Sequence, residues 1–89
     1  MPNSIEVAFT KPFKRDYKGL PENIQELIDK QIIHLLNDPK HPSLRLKKME
    51  GHKFIYEARI TKGYRMTFQI VDDTYLLRRV GTHSILKKP

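Results

Sequence analysis

Residues 54–83 read FIYEARITKGYRMTFQIVDDTYLLRRVGTH, and this stretch decides how the rest of the chain must fold. Phe54, Tyr56, Ala58 and Ile60 alternate with Ile55, Glu57, Arg59 and Thr61. Tyr64, Met66, Phe68 and Ile70 then alternate with Arg65, Thr67, Gln69 and Val71. A period of two predicts paired strands with one apolar face. Thr61-Lys62-Gly63 reads as a three-residue loop with its glycine in the left-handed position. That register sets Ile60 across from Tyr64, Ala58 from Met66 and Tyr56 from Phe68. It puts Arg59 opposite Arg65 and Glu57 opposite Thr67 on the other face. A slip of one residue would mix the faces, so the pattern pins the pairing. Asp72-Asp73-Thr74 reads as the next turn. A three-residue loop there pairs Ile70 with Leu76, Met66 with Val80, Thr67 with Arg79 and Arg65 with Gly81. The polar face then runs on to His83, while Arg78 falls awkwardly on the apolar one.

Upstream, Ile5, Val7 and Phe9 predict a short first strand. Thr10 caps a short helix with Pro12 in its first turn, Phe13 and Tyr17 on one face, and Gly19 at its end. Leu20-Pro21-Glu22 opens a second helix whose stripe is Ile24, Leu27, Ile28, Ile32, Leu35 and Leu36, stopped at Asn37-Asp38-Pro39. Residues 40–43 form a loop, Leu44, Leu46 and Met49 mark a second strand, and Glu50-Gly51-His52 makes a turn. The expected architecture is one α+β domain over residues 1–89, a two-helix hairpin packed on a curved, mostly antiparallel sheet of four to five strands.

Composition narrows the function. No cysteine is present, which excludes a disulfide framework and thiolate chemistry. Met1-Pro2-Asn3-Ser4 lacks a secretion-signal pattern, and no apolar run nears the roughly 20 residues that span a bilayer. A cytoplasmic protein is expected. The net charge is +7. Residues 1–39 hold five basic and six acidic residues, but residues 40–89 hold twelve basic and four acidic. A charge so concentrated on the expected sheet half favours a polyanion, most often nucleic acid, over a merely solvated surface.

Arg59 and Arg65 facing each other repel unless an anion lies between them or Glu57 neutralises one. A guanidinium fork matches phosphate geometry. Cutting RNA through its own 2′-hydroxyl needs a base, a phosphate clamp and an acid. His83 suits proton transfer near neutral pH, Arg65 and Arg59 suit the clamp, and Glu57 suits the base. Arg45, Lys47, Lys48, His52, Lys53, Arg79 and Lys87 are expected to follow an RNA backbone. The spacings of His34, His41, His52 and His83 match no zinc motif, so neither metal nor cofactor is expected.

His41-Pro42-Ser43-Leu44, Glu50-Gly51, Tyr56-Glu57-Ala58-Arg59-Ile60, Gly63-Tyr64-Arg65-Met66 and Val80-Gly81-Thr82-His83, in this order, resemble the RelE/ParE toxin superfamily. Within it they are most like the RelE, YoeB and YafQ messenger-RNA interferases. The resemblance implies a microbial-RNase fold, and a type II toxin that cuts messenger RNA in the decoding site of the ribosome without a metal. It also implies a cognate antitoxin, expected to be acidic and amphipathic. It makes Arg65 the transition-state clamp, Arg59 a phosphate or structural contact, and His83 a general acid or base. RelE carries lysines where this chain has Tyr56, Glu57 and Ala58, so Glu57, His52 and a loop lysine all stand as candidate bases. The alternatives are a ParE-like protein that inhibits DNA gyrase by binding, and a basic RNA-binding domain with no activity.

Overall fold

The computed structural model describes residues 6–89, so the expected strand residue Ile5 and the reading of residues 1–4 lie outside it. Strand β1 (Glu6–Phe9) leads into helices α1 (Lys11–Lys18) and α2 (Glu22–Asn37). Strands β2 (Lys47–Lys48), β3 (Ile55–Thr61), β4 (Tyr64–Val71) and β5 (Thr74–Gly81) follow. They form one five-stranded sheet in the order β1-β5-β4-β3-β2. Only the β1–β5 pair is parallel. The fold is α+β, as expected. Among the described residues no helix is long and apolar enough to cross a membrane.

Local chemistry explains the helices. The Thr10 hydroxyl accepts from Phe13 N at 3.1 Å and donates to the Arg78 carbonyl at 2.8 Å, so one side chain caps α1 and ties it to β5. On α2 the buried positions are Ile24, Ile28, Gln31 and Leu35, whose spacing follows the helical period. Leu27, expected in the stripe, is exposed, and polar Gln31 takes a core place instead. Its amide donates to the carbonyls of Arg59 at 2.8 Å and Ser43 at 3.3 Å, which makes the burial tolerable. Tyr17 donates to Asp29 at 2.8 Å and clasps the two helices together. Phe13, Ile28, Leu35, Leu44, Ala58, Met66, Phe68, Leu77 and Val80 fill the core between helices and sheet.

The sheet departs from the expected register at two bulges. Ala58–Met66, Tyr56–Phe68, Glu57–Thr67 and Arg59–Arg65 pair as the alternation predicts, but Tyr64 faces Thr61 rather than Ile60. Ile60 is the extra residue, the connection shortens to Lys62-Gly63, and Gly63 does not take the left-handed conformation expected of it. The bulge leaves Ile60 only 7% exposed. On the other side Arg65–Gly81, Met66–Val80 and Thr67–Arg79 pair as expected, after which Arg78 bulges and Phe68 faces Leu77. Ile70 therefore meets Tyr75, not Leu76, and the turn is the two residues Asp72-Asp73. The slip turns Leu77 and Tyr75 inward and frees Arg78 from the apolar face. The expected second strand also contracts. Leu44 sits fully buried in a 3-10 turn, Pro42–Leu44, and the strand is Lys47–Lys48 alone. Phe54 lies outside β3 and is exposed, which leaves Tyr56 as the first residue of the strand on the core face.

Candidate functional site

The helices cover one face of the sheet, and the sequence leaves charge on the other. Arg59, Arg65 and Gly81 form one cross-strand row, with Glu57, Thr67 and Arg79 in the next. The bulge at Ile60 makes a tight corner whose carbonyls converge, and Arg65 fills it. Its Nη1 donates to the carbonyls of Thr61 at 2.6 Å, Lys62 at 3.0 Å and Tyr64 at 3.0 Å. Its Nε lies 3.3 Å from Glu57 Oε2, with both side chains largely buried. Much of the Arg65 fork is therefore spent on the hairpin, and Glu57 is half of that ion pair.

Arg59 is placed differently. Its Nε is buried and has no hydrogen-bond partner, the only such side-chain atom among the described residues. Its guanidinium is pushed below the ordinary arginine range, first by burial and then by the charges of Arg45 and Arg65. A buried donor without an acceptor is costly, and neighbouring cations raise the cost. An anion between Arg59, Arg45 and Arg65 would answer both. Arg45 is exposed and held at φ 45, where the backbone ends the 3-10 turn.

Arg79 belongs to the scaffold. Its Nε and Nη2 meet the two carboxylate oxygens of Asp16 at 2.7 and 3.3 Å. Asp16 also accepts from Val80 N at 3.2 Å. The hydrogen bond to Asp16 raises the Arg79 pKa above its ordinary value. Arg78 donates to Gln69 at 2.6 Å and to the Pro89 carbonyl at 3.1 Å. Thr67, fully buried, donates to the same carbonyl at 2.9 Å. Ile85 lies so close over Gly81 that an added Cβ would stand 3.0 Å from it. The C-terminal segment thus covers the β4–β5 side of the polar face, while the β2 edge beyond β3 stays open at the exposed Lys47 and Lys48.

His83 is exposed at the start of a 3-10 turn, two residues past the Gly81 that faces Arg65. Among the described residues no hydrogen bond or ion pair joins it to Arg59, Arg65 or Glu57. The structure brings Arg45, Arg59, Arg65 and Glu57 together and leaves His83 at the margin. Lys47, Lys48 and Lys53 are exposed along the β2 edge and the loop after it, His52 is half-buried in that loop, and Lys87 is exposed on the tail. His34 and His41 stack with ring centres 3.9 Å apart. Among the described residues no three metal-ligating side chains cluster. Sequence reasoning missed Asp16, Gln31 and the exposure of Phe54. Asp16 had a readable sign, a lone acid on a basic helix that needs a distant partner.

Residues 7–86 match the family described as ParE toxin of type II toxin-antitoxin system, parDE. No curated protein sequence matches. Among solved structures, the RelB-RelE antitoxin-toxin complex from Methanococcus jannaschii contains a chain 29% identical, with TM-score 0.70, covering 91% of this chain and 95% of that one. The E. coli DinJ-YafQ complex gives 15% identity and TM-score 0.79, with 94% and 98% covered. The YoeB/ParE toxin from Agrobacterium tumefaciens gives 15% and 0.76, with 88% and 98% covered. The match across nearly the whole chain, on a sheet and helix pair that these structures share, makes the protein a member of the RelE/ParE superfamily of type II toxins.

Proposed function

We propose that this toxin is an endoribonuclease that cuts messenger RNA on the ribosome, and that the phosphate it attacks is held by Arg59 with Arg45 and Arg65. The observation that carries the reading is the buried, unpartnered Nε of Arg59 in the field of two further guanidinia. In the reaction the 2′-hydroxyl loses its proton and attacks the adjacent phosphorus. Negative charge grows on the non-bridging oxygens, and the 5′-oxygen leaves with a proton. The guanidinia meet the growing charge, so the scheme needs no metal. His83, exposed and unengaged, delivers or takes a proton. Glu57 serves as base only when RNA draws Arg65 away from it, since the two are paired at 3.3 Å.

A second reading has its own support. The matching family is described as ParE toxin, and Arg65 is largely committed to its hairpin, which suits a protein that acts by binding DNA gyrase. Two assays separate them. A nuclease cuts a transcript in a translating extract, loses this on Arg59→Ala or His83→Ala, and leaves gyrase supercoiling untouched. A gyrase inhibitor does the reverse. An inert RNA-binding domain cuts nothing and still binds RNA.

The partner has a surface of its own, beside the helices rather than on the arginine face. The Methanococcus jannaschii and E. coli relatives were solved as antitoxin–toxin complexes, and an acidic, amphipathic antitoxin segment suits this chain. A groove of about 320 Å³ lined by Phe9, Phe13, Tyr17 and Ile32 is edged by Lys14 and Lys18, with Asp29 on the far side held by the Tyr17 hydroxyl. It offers an apolar floor and a cationic rim to such a helix.

A further inference from the structure

Phe54 is 66% exposed, more than any other large hydrophobic side chain among the described residues, and its backbone sits at φ 67. Each property is unfavourable. A bulky non-glycine residue is strained in the left-handed region, and an exposed phenyl ring wastes apolar surface. The loop nevertheless holds it there. Gly51 at φ 77 makes the turn, Met49 N donates to the Ile55 carbonyl at 2.9 Å, and Ile55 N to the His52 carbonyl at 3.4 Å. The surroundings are cationic. Lys53 precedes Phe54, and the adjoining ladder pairs Lys48 with Tyr56 and Lys47 with Glu57, all three lysines being exposed. The exposed Ile70 and Val71 instead flank the acidic Asp72-Asp73 turn, and Ile33 is an aliphatic residue on α2. Phe9, the other exposed ring, is 43% exposed and packs against Phe13 at 5.4 Å, so Phe54 is the ring that stands free in a basic setting among the described residues.

We infer that Phe54 is a stacking platform for one unpaired base of single-stranded RNA, with Lys47, Lys48 and Lys53 holding the flanking phosphates. Proteins that grip single strands combine an aromatic face for the base with cations for the backbone. The inference rests on the RNA reading above and adds a contact outside the cleavage site. Arg59 lies four residues beyond Ile55 on β3, about 13 Å along a strand. The stacked base is therefore not at the bond that breaks. Phe54 binds and positions; it does no chemistry.

The test uses the full chain and a 2′-O-methyl RNA oligonucleotide, which cannot be cut. Phe54→Ala should weaken binding about 5- to 150-fold, the worth of one base–aromatic stack, with the salt dependence unchanged because the phosphate contacts remain. Phe54→Gly should lose the same affinity at an equal or higher Tm, since glycine accepts this backbone without strain. The chain contains no tryptophan, so Phe54→Trp reports from this site alone. Its fluorescence should change with the oligonucleotide and not with an abasic strand of equal length. Unchanged affinity in Phe54→Ala, a Trp response to the abasic strand, or a clear drop in Tm for Phe54→Gly would each overturn the assignment. Affinity unchanged while an acidic peptide loses its grip would assign the ring to a protein partner instead. Cleavage of an ordinary transcript in a translating extract is read separately. Stacking without cleavage refutes the nuclease, and cleavage with Phe54→Ala binding normally refutes only the platform.

Discussion

Two arginine groups on one sheet face have opposite circumstances. On the β5 side, Arg78 and Arg79 donate to Gln69, Asp16 and tail carbonyls, which tie the strand to its neighbour, to the tail and, through Asp16, to α1. On the β3 side, Arg59 and Arg45 crowd each other, and the Nε of Arg59 meets no acceptor. The same side chain is structural where the fold supplies acceptors and available where it does not. The basic composition alone cannot tell these apart. Arg65 lies between them, half-committed to Glu57 and the turn carbonyls.

The contrast breaks most easily at Arg59. Arg59→Ala should cut messenger-RNA cleavage in a translating extract by about 100-fold or more, the usual cost of removing one donor from a developing oxyanion. Thermal melting should show no loss of stability, because the Nε has no partner to lose. A large fall in Tm with normal cleavage would move Arg59 to the structural group. Asp16→Ala tests the other side. It strands Arg79 and the Val80 amide, and should cost about 2 kcal/mol, less than a fully buried pair because Arg79 is part-exposed. Urea denaturation measures this, and cleavage per folded molecule should hold. Adding Arg79→Met should recover part of the loss, since the uncompensated charge goes too.

How far this division is readable from sequence depends on range. Alternation over residues 55–70 puts Arg59 opposite Arg65, because a strand's period is local and one face must be apolar. It does not show the bulges at Ile60 and Arg78, which depend on turn length and on which residues the helices cover. Arg78 on the apolar face was the visible symptom of one of them. The partners that sort the arginines are further away still: Asp16 is 63 positions from Arg79. Phe54 fits the alternation perfectly as a core residue, and only its backbone angle and exposure exclude it. Local periodicity therefore yields the site's outline, whereas long-range ion pairs decide which members are free.

A smaller effect sharpens the tied side. Thr10 both caps α1 and bonds the Arg78 carbonyl, so it fastens the helix to the strand that carries Arg79. Thr10→Ala should cost about 1 kcal/mol, while Thr10→Ser, which keeps the hydroxyl, should cost much less. Chemical denaturation separates the two variants. Equal losses from both would assign the effect to the methyl group rather than to the hydrogen bonds.

The smallest expected change is at Lys48, exposed on the edge strand opposite Tyr56. If the open side follows an RNA backbone, each lysine there releases about one counterion on binding. Lys48→Ala should then lower the slope of log affinity against log salt by about 0.7, the single-strand value per phosphate, with only a few-fold weaker binding. Stability should stay within about 0.5 kcal/mol, as for other surface changes. Arg79→Ala makes the opposite prediction at equal cost in charge: stability falls and the salt slope stays, because its guanidinium already faces Asp16. Measuring both slopes asks whether position on the sheet, and not charge alone, decides which cations meet RNA. A shared loss of slope would mean that the tail and Asp16 release Arg79 when RNA binds, and the two sides would be one surface.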